Sequence, residues 1–167
     1  MSRYAGVDSD PLWVDKARIA VSETFRFYLA DIGPTKAWGY PKSNSAKMIY
    51  QYQLSALAAE PEPFDVYMVD GRWRAPCVYA SFLHASAMGA PHKQTKVLLH
   101  DCKHNGNTHH GASVMGFDKW RRSYAAVTQV LDLVDHSGSK LCVFQRKHNT
   151  TDEQLLRIWQ EWKNDVN

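Results

Sequence analysis

Two apolar runs that end in acidic residues carry the strongest chemical signal in this sequence. Residues 66–69 (VYMV) precede Asp70, and residues 96–99 (KVLL) precede His100 and Asp101. Runs rich in β-branched and aromatic residues predict strands buried on both faces, as in parallel sheets. In open α/β sheets, ligands bind outside the carboxyl ends of such strands. We therefore expect Asp70 and Asp101 to line a binding crevice.

Side chains next to these aspartates are suited to acid–base or binding chemistry. Histidine titrates near neutrality, so His100 could be a general base or a metal ligand. Arg72 and Arg74 follow Asp70 and could hold an anionic substrate through bidentate hydrogen bonds. Ion pairing of these arginines with Asp70 or Asp101 is an equal alternative.

A histidine-rich segment follows the second strand and includes His104, His109 and His110. Their spacing matches no strong zinc signature of the HExxH kind. A polar surface loop is the simpler interpretation, and a metal-binding loop is the alternative. Of these histidines we expect His104, together with His100 at the end of the strand, to lie closest to the crevice.

Composition limits the classes of function. The 167 residues, 44% hydrophobic and 22% charged, predict one globular domain over 1–167. A net charge of +3 without basic blocks argues against nucleic acid as a partner. We expect a cytoplasmic protein with a small-molecule substrate and no membrane partner. The irregularly spaced Cys77, Cys102 and Cys142 predict no disulfide framework and no zinc site, which is typical of a reducing compartment.

Strands and helices are predicted to alternate along the chain and to end in an antiparallel hairpin. The last helix has a predicted capping box within Thr150–Glu153. Strands are expected at 4–8, 25–30, 66–69, 96–101, 126–134 and 140–146. Helices are expected from Pro11 to about Ser22 and over 46–59, 75–87 and 117–124, with the last beginning near Thr151.

In this order of elements the chain resembles class I SAM-dependent methyltransferases. The resemblance rests on segments in matching order: VDSDPLWVDKAR, DIGPTKAWGYP, FDVYMVDGRWRAPC, VLLHDC and KLCVFQRK. It implies a three-layer α/β sandwich with a Rossmann-like, mostly parallel sheet and a C-terminal antiparallel hairpin. It also implies S-adenosyl-L-methionine as the cofactor.

The resemblance assigns cofactor-binding roles to three aspartates. Asp8 matches the acid that binds the ribose hydroxyls, Asp31 the acid near the adenine, and Asp70 a further residue of the cofactor crevice. Local capping of the following turn is the alternative for Asp8 and Asp31.

The resemblance to metal-dependent O-methyltransferases implies a Mg²⁺ site at Asp70 and Asp101. Cys102 stands where those enzymes usually have Asn. Asp70, His100 and Arg72 are then the expected catalytic residues.

The sequence departs from the methyltransferase pattern at its beginning. It contains no Gly-x-Gly, and the first strand and glycine-rich loop of the family are missing. A fragment of an active enzyme and a protein that has lost this element are both open. We expect the strand ending at Asp8 to pair directly with the strand ending at Asp70, or a homodimer to fill the gap.

Three hypotheses of function follow. The first is SAM-dependent O-methyl transfer to a small or sugar-like hydroxyl. The second is a catalytically silent binding or assembly module with the same fold. The third is a metal-dependent hydrolase that uses the histidine-rich loop and carries zinc or manganese.

Overall fold

The computed structural model describes residues 3–21, 24–102, 122–137 and 140–166, without the side chains of 122–124. The chain divides into two compact units, 1–61 and 62–167. Both combine strands with helices, which confirms the predicted α/β class. A single methyltransferase-like domain over 1–167 stays a prediction.

The first unit is built on a parallel pair of strands. Strand β1 pairs with β2 in a register that sets Tyr4 beside Phe25 and Asp8 beside Leu29. The Asp10 side chain accepts the Leu12 N–H and Pro11 opens the helix, as the sequence predicts. The elements are β1 (Tyr4–Asp8), α1 (Pro11–Ala20), β2 (Phe25–Leu29), a short 3₁₀ helix (Ala37–Gly39), α2 (Ala46–Gln53) and α3 (Ser55–Ala58).

A buried carboxylate near the end of the first unit contacts β2 and the residue that precedes β1. Glu60 accepts hydrogen bonds from Arg3 and Arg26, at 2.7 and 2.6 Å, and from the Tyr28 hydroxyl at 2.7 Å. Its side chain is 1% exposed, so these partners replace the water that it loses on folding. Burial and the hydrogen bond to Glu60 raise the pKa of Tyr28.

The second unit holds a four-stranded sheet in the order β3-β4-β6-β5. Strands β3 and β4 are parallel, and β6 runs antiparallel between β4 and β5. The predicted antiparallel C-terminal hairpin is thus confirmed, with β5 at the sheet edge. The elements are β3 (Val66–Val69), α4 (Arg74–Ala87), β4 (Lys96–His100), α5 (Arg122–Val130), β5 (Leu131–Ser137), β6 (Leu141–Arg146) and α6 (Asp152–Trp162).

The predicted strand over 126–134 is wrong in its first half. Helix α5 continues to Val130, and β5 begins only at Leu131. Ala126, Val127 and Val130 are buried at helical spacing, so tertiary packing overrides the strand preference of the valines. The helix expected over 117–124 lies mostly outside the described residues.

Strand β3 is not buried on both faces. Tyr67 and Val69 are buried, whereas Val66 and Met68 are 52% and 62% exposed. Within the second unit β3 pairs with β4 and alternates as a half-exposed edge strand does. The expectation that the strand ending at Asp8 pairs with the strand ending at Asp70, or that a homodimer fills the gap, stays a prediction.

The capping box of α6 lies one residue later than predicted. The Thr151 hydroxyl accepts the Gln154 N–H, and the Gln154 side chain accepts the Thr151 N–H. Thr150 instead donates its hydroxyl to the Val130 carbonyl at 2.8 Å, a buried contact. The Thr150 hydroxyl is thus engaged in a tertiary bond, and the N-cap is Thr151.

Cys102 and Cys142 form a disulfide, which corrects the expectation that the irregular cysteine spacing gives no disulfide framework. Cys142 lies on β6 opposite Leu99 of β4, and Cys102 lies just beyond the end of β4. The antiparallel return of β6 thus brings together two residues 40 positions apart. Cys77 on α4 is not in a disulfide.

Candidate functional site

The parallel pairing of β3 and β4 places the ends of both strands at one edge of the sheet. Val69 is the register partner of Leu99, so Asp70 and His100 come directly after neighbouring positions. Asp101 follows one residue later. The residues that the sequence singled out on these two strands are thus brought together in space.

Unusual backbone conformations shape the turns at this edge. Gly71 has φ = +138°, which a residue with a side chain rarely adopts. Trp73, which is buried and precedes α4, has φ = +50°, and Asp101 has φ = +52°. Left-handed conformations outside glycine cost free energy and cluster at functional sites. Both strand ends are therefore followed by tight turns that redirect the chain.

The imidazole of His100 faces both carboxylates. Its Nδ1 lies 3.3 Å from Oδ1 of Asp70 and 3.7 Å from Oδ1 of Asp101. Nδ1 is shielded from solvent and makes no hydrogen bond. One donor atom from each of the three side chains lies within 4.8 Å of the others. We call these three residues the Asp–His–Asp cluster.

Arg74 supports the cluster from the first position of α4. Its Nη2 lies 3.2 Å from Oδ2 of Asp101 and 3.6 Å from Oδ1 of Asp70. The side chain is 6% exposed, so the guanidinium is committed to this position. The ion-pair alternative considered for the arginines therefore holds for Arg74. Both carboxylates thus contact the same guanidinium.

Arg72 lies in the turn between β3 and α4. The contacts with Asp70 and Asp101 described above are made by Arg74, two residues further along. The sequence did not distinguish the role of Arg74 from that of Arg72. The signal for an ion pair between Arg74 and Asp70 was their spacing of four residues at the start of a helix.

The two acids assigned to the cofactor belong to the first unit and make local contacts. Oδ1 of Asp8 accepts the Asp10 N–H at 2.8 Å, and Oδ1 of Asp31 accepts the Gly33 N–H at 3.0 Å. These are the turn contacts that the sequence offered as the alternative. Asp8 is the last residue of β1, and Asp31 lies two residues after the end of β2.

His104, His109 and His110 lie outside the described residues. The predicted function of the histidine-rich loop therefore stays a prediction. Within the described part of the chain, no helix is long and apolar enough to cross a membrane.

A search of solved structures finds a methyltransferase-like fold. The chain is similar to the crystal structure of a methyltransferase-like protein from Silicibacter pomeroyi, with a TM-score of 0.65 and 23% sequence identity. The similarity covers 97% of this chain and 77% of that one. No family model matches the sequence, and no curated protein matches it. At this identity the comparison establishes the fold.

Proposed function

We propose that this protein transfers a methyl group from S-adenosyl-L-methionine to a hydroxyl of a small or sugar-like molecule. The observation that carries the proposal is the Asp–His–Asp cluster at the carboxyl ends of β3 and β4. This is where α/β sheets bind their ligands. The similarity to the structure of a methyltransferase-like protein supports the proposal of methyl transfer.

The chemistry requires an oxygen that is ready to attack. The substrate hydroxyl forms a bond to the methyl carbon as the bond from that carbon to sulfur breaks, which releases S-adenosylhomocysteine. The hydroxyl proton goes to His100, whose Nδ1 faces the carboxylates and whose Nε2 meets the substrate. Asp70, 3.3 Å from Nδ1, stabilises the imidazolium that forms.

The arginines have supporting roles in this proposal. Arg74 is a positioning residue, because its buried guanidinium fixes both aspartates through contacts of 3.2 and 3.6 Å. Arg72, in the adjoining turn, would bind an anionic group of the substrate. A positioning role predicts that Arg74→Lys impairs the rate more than the affinity for substrate, because lysine lacks the planar fork.

The cofactor would use the acids that end β1 and follow β2. Asp8 would accept hydrogen bonds from the ribose hydroxyls, and Asp31 would lie near the adenine. Each carboxylate accepts a backbone N–H through Oδ1, which holds the side chain in place. A carboxylate suits a vicinal diol because it can accept two hydrogen bonds.

Isothermal titration with SAM and with S-adenosylhomocysteine tests the cofactor. We expect saturable binding that Asp8→Asn weakens at least tenfold and that Asp132→Asn leaves unchanged. Asp132 is a matched control because it is an exposed carboxylate on β5 of the other unit. Absence of binding at millimolar ligand would overturn the proposal.

A catalytically silent binding or assembly module is the second candidate. The sequence feature that favours it is the absence of any Gly-x-Gly. This candidate predicts that neither SAM nor S-adenosylhomocysteine shifts the melting temperature. The hydrolase hypothesis depends on histidines outside the described residues and predicts zinc or manganese in the purified protein.

A further inference from the structure

We propose that Asp70, His100 and Asp101 together bind one divalent first-row transition ion, of the Mn²⁺ or Zn²⁺ type. This differs from the Mg²⁺ site at two aspartates that the resemblance implies. The inference concerns cation binding alone, so it does not depend on methyl transfer. Among the described residues, this is the group of three such side chains whose donor atoms converge.

The spacing of the donor atoms fits a common ion. Zinc-to-ligand bonds of about 2.0–2.1 Å place the donors of a tetrahedral site about 3.3 Å apart. The corresponding separations here are 3.3 Å between Nδ1 of His100 and Oδ1 of Asp70, and 3.7 Å between Nδ1 and Oδ1 of Asp101. These two separations lie within a few tenths of an ångström of the tetrahedral value, and the third, between the carboxylate oxygens of Asp70 and Asp101, is no more than 4.8 Å.

The state of the His100 ring nitrogen is the second observation. Nδ1 is shielded from solvent, yet it makes no hydrogen bond although two carboxylates are near. A shielded nitrogen without a partner has an uncompensated desolvation cost. A metal ion bound to its lone pair removes this cost and draws both carboxylates toward the same point.

Charge and support also favour a cation. Arg74 contacts Oδ2 of Asp101, and Oδ1 of the same carboxylate lies 3.7 Å from Nδ1 of His100. Two carboxylate ligands bring negative charge to the point where a cation would bind. Partners of this kind orient ligand carboxylates in metal sites. The disulfide of Cys102, next to Asp101, adds a covalent restraint on the ligand.

The cluster is accessible from solvent. The side chains of Asp70, His100 and Asp101 are 51%, 35% and 44% exposed. An ion can therefore enter, and three protein ligands leave positions open for water or substrate, as in catalytic zinc sites. A bound ion would engage Nδ1 of His100, and it would acidify a substrate hydroxyl directly in place of the histidine base.

The donor set selects against magnesium. Mg²⁺ demands oxygen ligands in near-ideal octahedral geometry, whereas imidazole suits zinc, iron, copper and nickel. The two aspartates that match the magnesium site of those enzymes are joined here by a nitrogen donor, Nδ1 of His100. We expect the affinity order Zn²⁺ > Mn²⁺ > Mg²⁺, with Mg²⁺ at least a hundredfold weaker than Zn²⁺.

Metal binding is measured on the full chain after removal of metal with a chelator. Titration of Zn²⁺, Mn²⁺ and Mg²⁺ by calorimetry should give one ion per chain for the first two. His100→Gln should weaken Zn²⁺ at least tenfold, and Asp101→Asn should do likewise. His92→Gln is the matched control, because His92 is an exposed histidine of the same unit. Circular dichroism verifies that the variants are folded.

A spectroscopic arm identifies the nitrogen ligand. Electron spin-echo modulation of bound Mn²⁺ should show coupling to an imidazole ¹⁴N in the native chain and lose it in His100→Gln. Unchanged affinity in His100→Gln, or binding abolished only by His109→Gln, would overturn the proposal. Absence of any binding at millimolar metal would also overturn it. Binding of SAM is measured in a separate calorimetric titration, so failure of the metal proposal and failure of the proposed function give different results.

Discussion

The Nη2 atom of Arg74 lies 3.2 Å from Oδ2 of Asp101, across the ends of two neighbouring strands. Arg74 begins α4, which follows β3, whereas Asp101 comes directly after β4. The contact thus connects the start of a helix with the turn after the next strand. Because the guanidinium is nearly fully buried, it depends on this carboxylate more than the half-exposed carboxylate depends on it.

Asp101→Asn should lower the free energy of unfolding by about 1–2 kcal/mol. The substitution removes the charge that faces a buried guanidinium and leaves Arg74 with only the 3.6 Å contact to Asp70. Asparagine tolerates the left-handed backbone at this position, so the change isolates the lost charge from backbone strain. Urea denaturation at pH 7 measures the difference, and Asp132→Asn should change it by less than about 0.5 kcal/mol. Equal losses in both variants would refute the prediction.

Asp152 should make stability depend on acid pH. Burial alone would raise its pKa, but hydrogen bonds from Ser86 and Arg146 and the charge of Arg146 lower it overall. A carboxyl whose pKa is lower in the folded state stabilises the protein above its unfolded pKa. That contribution is lost as the pH falls from near 4 through the lower folded value.

The variant Asp152→Asn separates this effect from general acid unfolding. At pH 7 it should be less stable than the native chain by about 1 kcal/mol, a modest value because the carboxylate is half exposed. The two proteins should converge once the pH falls below the lowered pKa of the native Asp152, because that carboxyl is then protonated as well. Denaturant titrations at pH 7 and at successively lower acid pH measure both differences, and a gap that widened in acid would contradict the assigned sign.

How far the sequence predicts the site depends on whether the signal is local. The ends of β3 and β4 were predictable, because an apolar run followed by an acid is a local pattern and parallel strands end together. The role of Arg74 as the cation that contacts both aspartates was not predictable, because Arg72 and Arg74 were both open and only the start of the helix decides between them. The helical part of 126–134 was missed since valine favours strands until packing decides otherwise.

The disulfide was missed for a different reason. Cysteine spacing predicts a pairing only within recognised frameworks. Cys102 and Cys142 meet because β6 returns antiparallel beside β4, with Leu99 opposite Cys142. That register depends on the whole hairpin, and no segment of the sequence carries it alone.

Removal of the disulfide should be strongly destabilising. Its cysteines enclose a separation of 40 residues, for which the loss of loop-closure entropy predicts about 4 kcal/mol. Cys102→Ala with Cys142→Ala should therefore unfold at a lower guanidinium concentration than the native chain. Native protein with a dithiol reductant should shift toward the double variant, whereas the double variant should not respond. Coincident curves with and without reductant would count against the disulfide.

Thiol titration gives an independent count of the cysteines. Burial raises the pKa of Cys77 to about 12, so at pH 8 only about one thiol in ten thousand is the reactive thiolate. A disulfide reagent should therefore label the native chain very slowly. Denaturation without reductant should expose one rapidly reacting thiol, and denaturation after reduction should expose all three cysteines. Cys77→Ala should abolish the first of these signals and leave two thiols after reduction. Three fast thiols in the unreduced, denatured chain would show that Cys102 and Cys142 are not bonded.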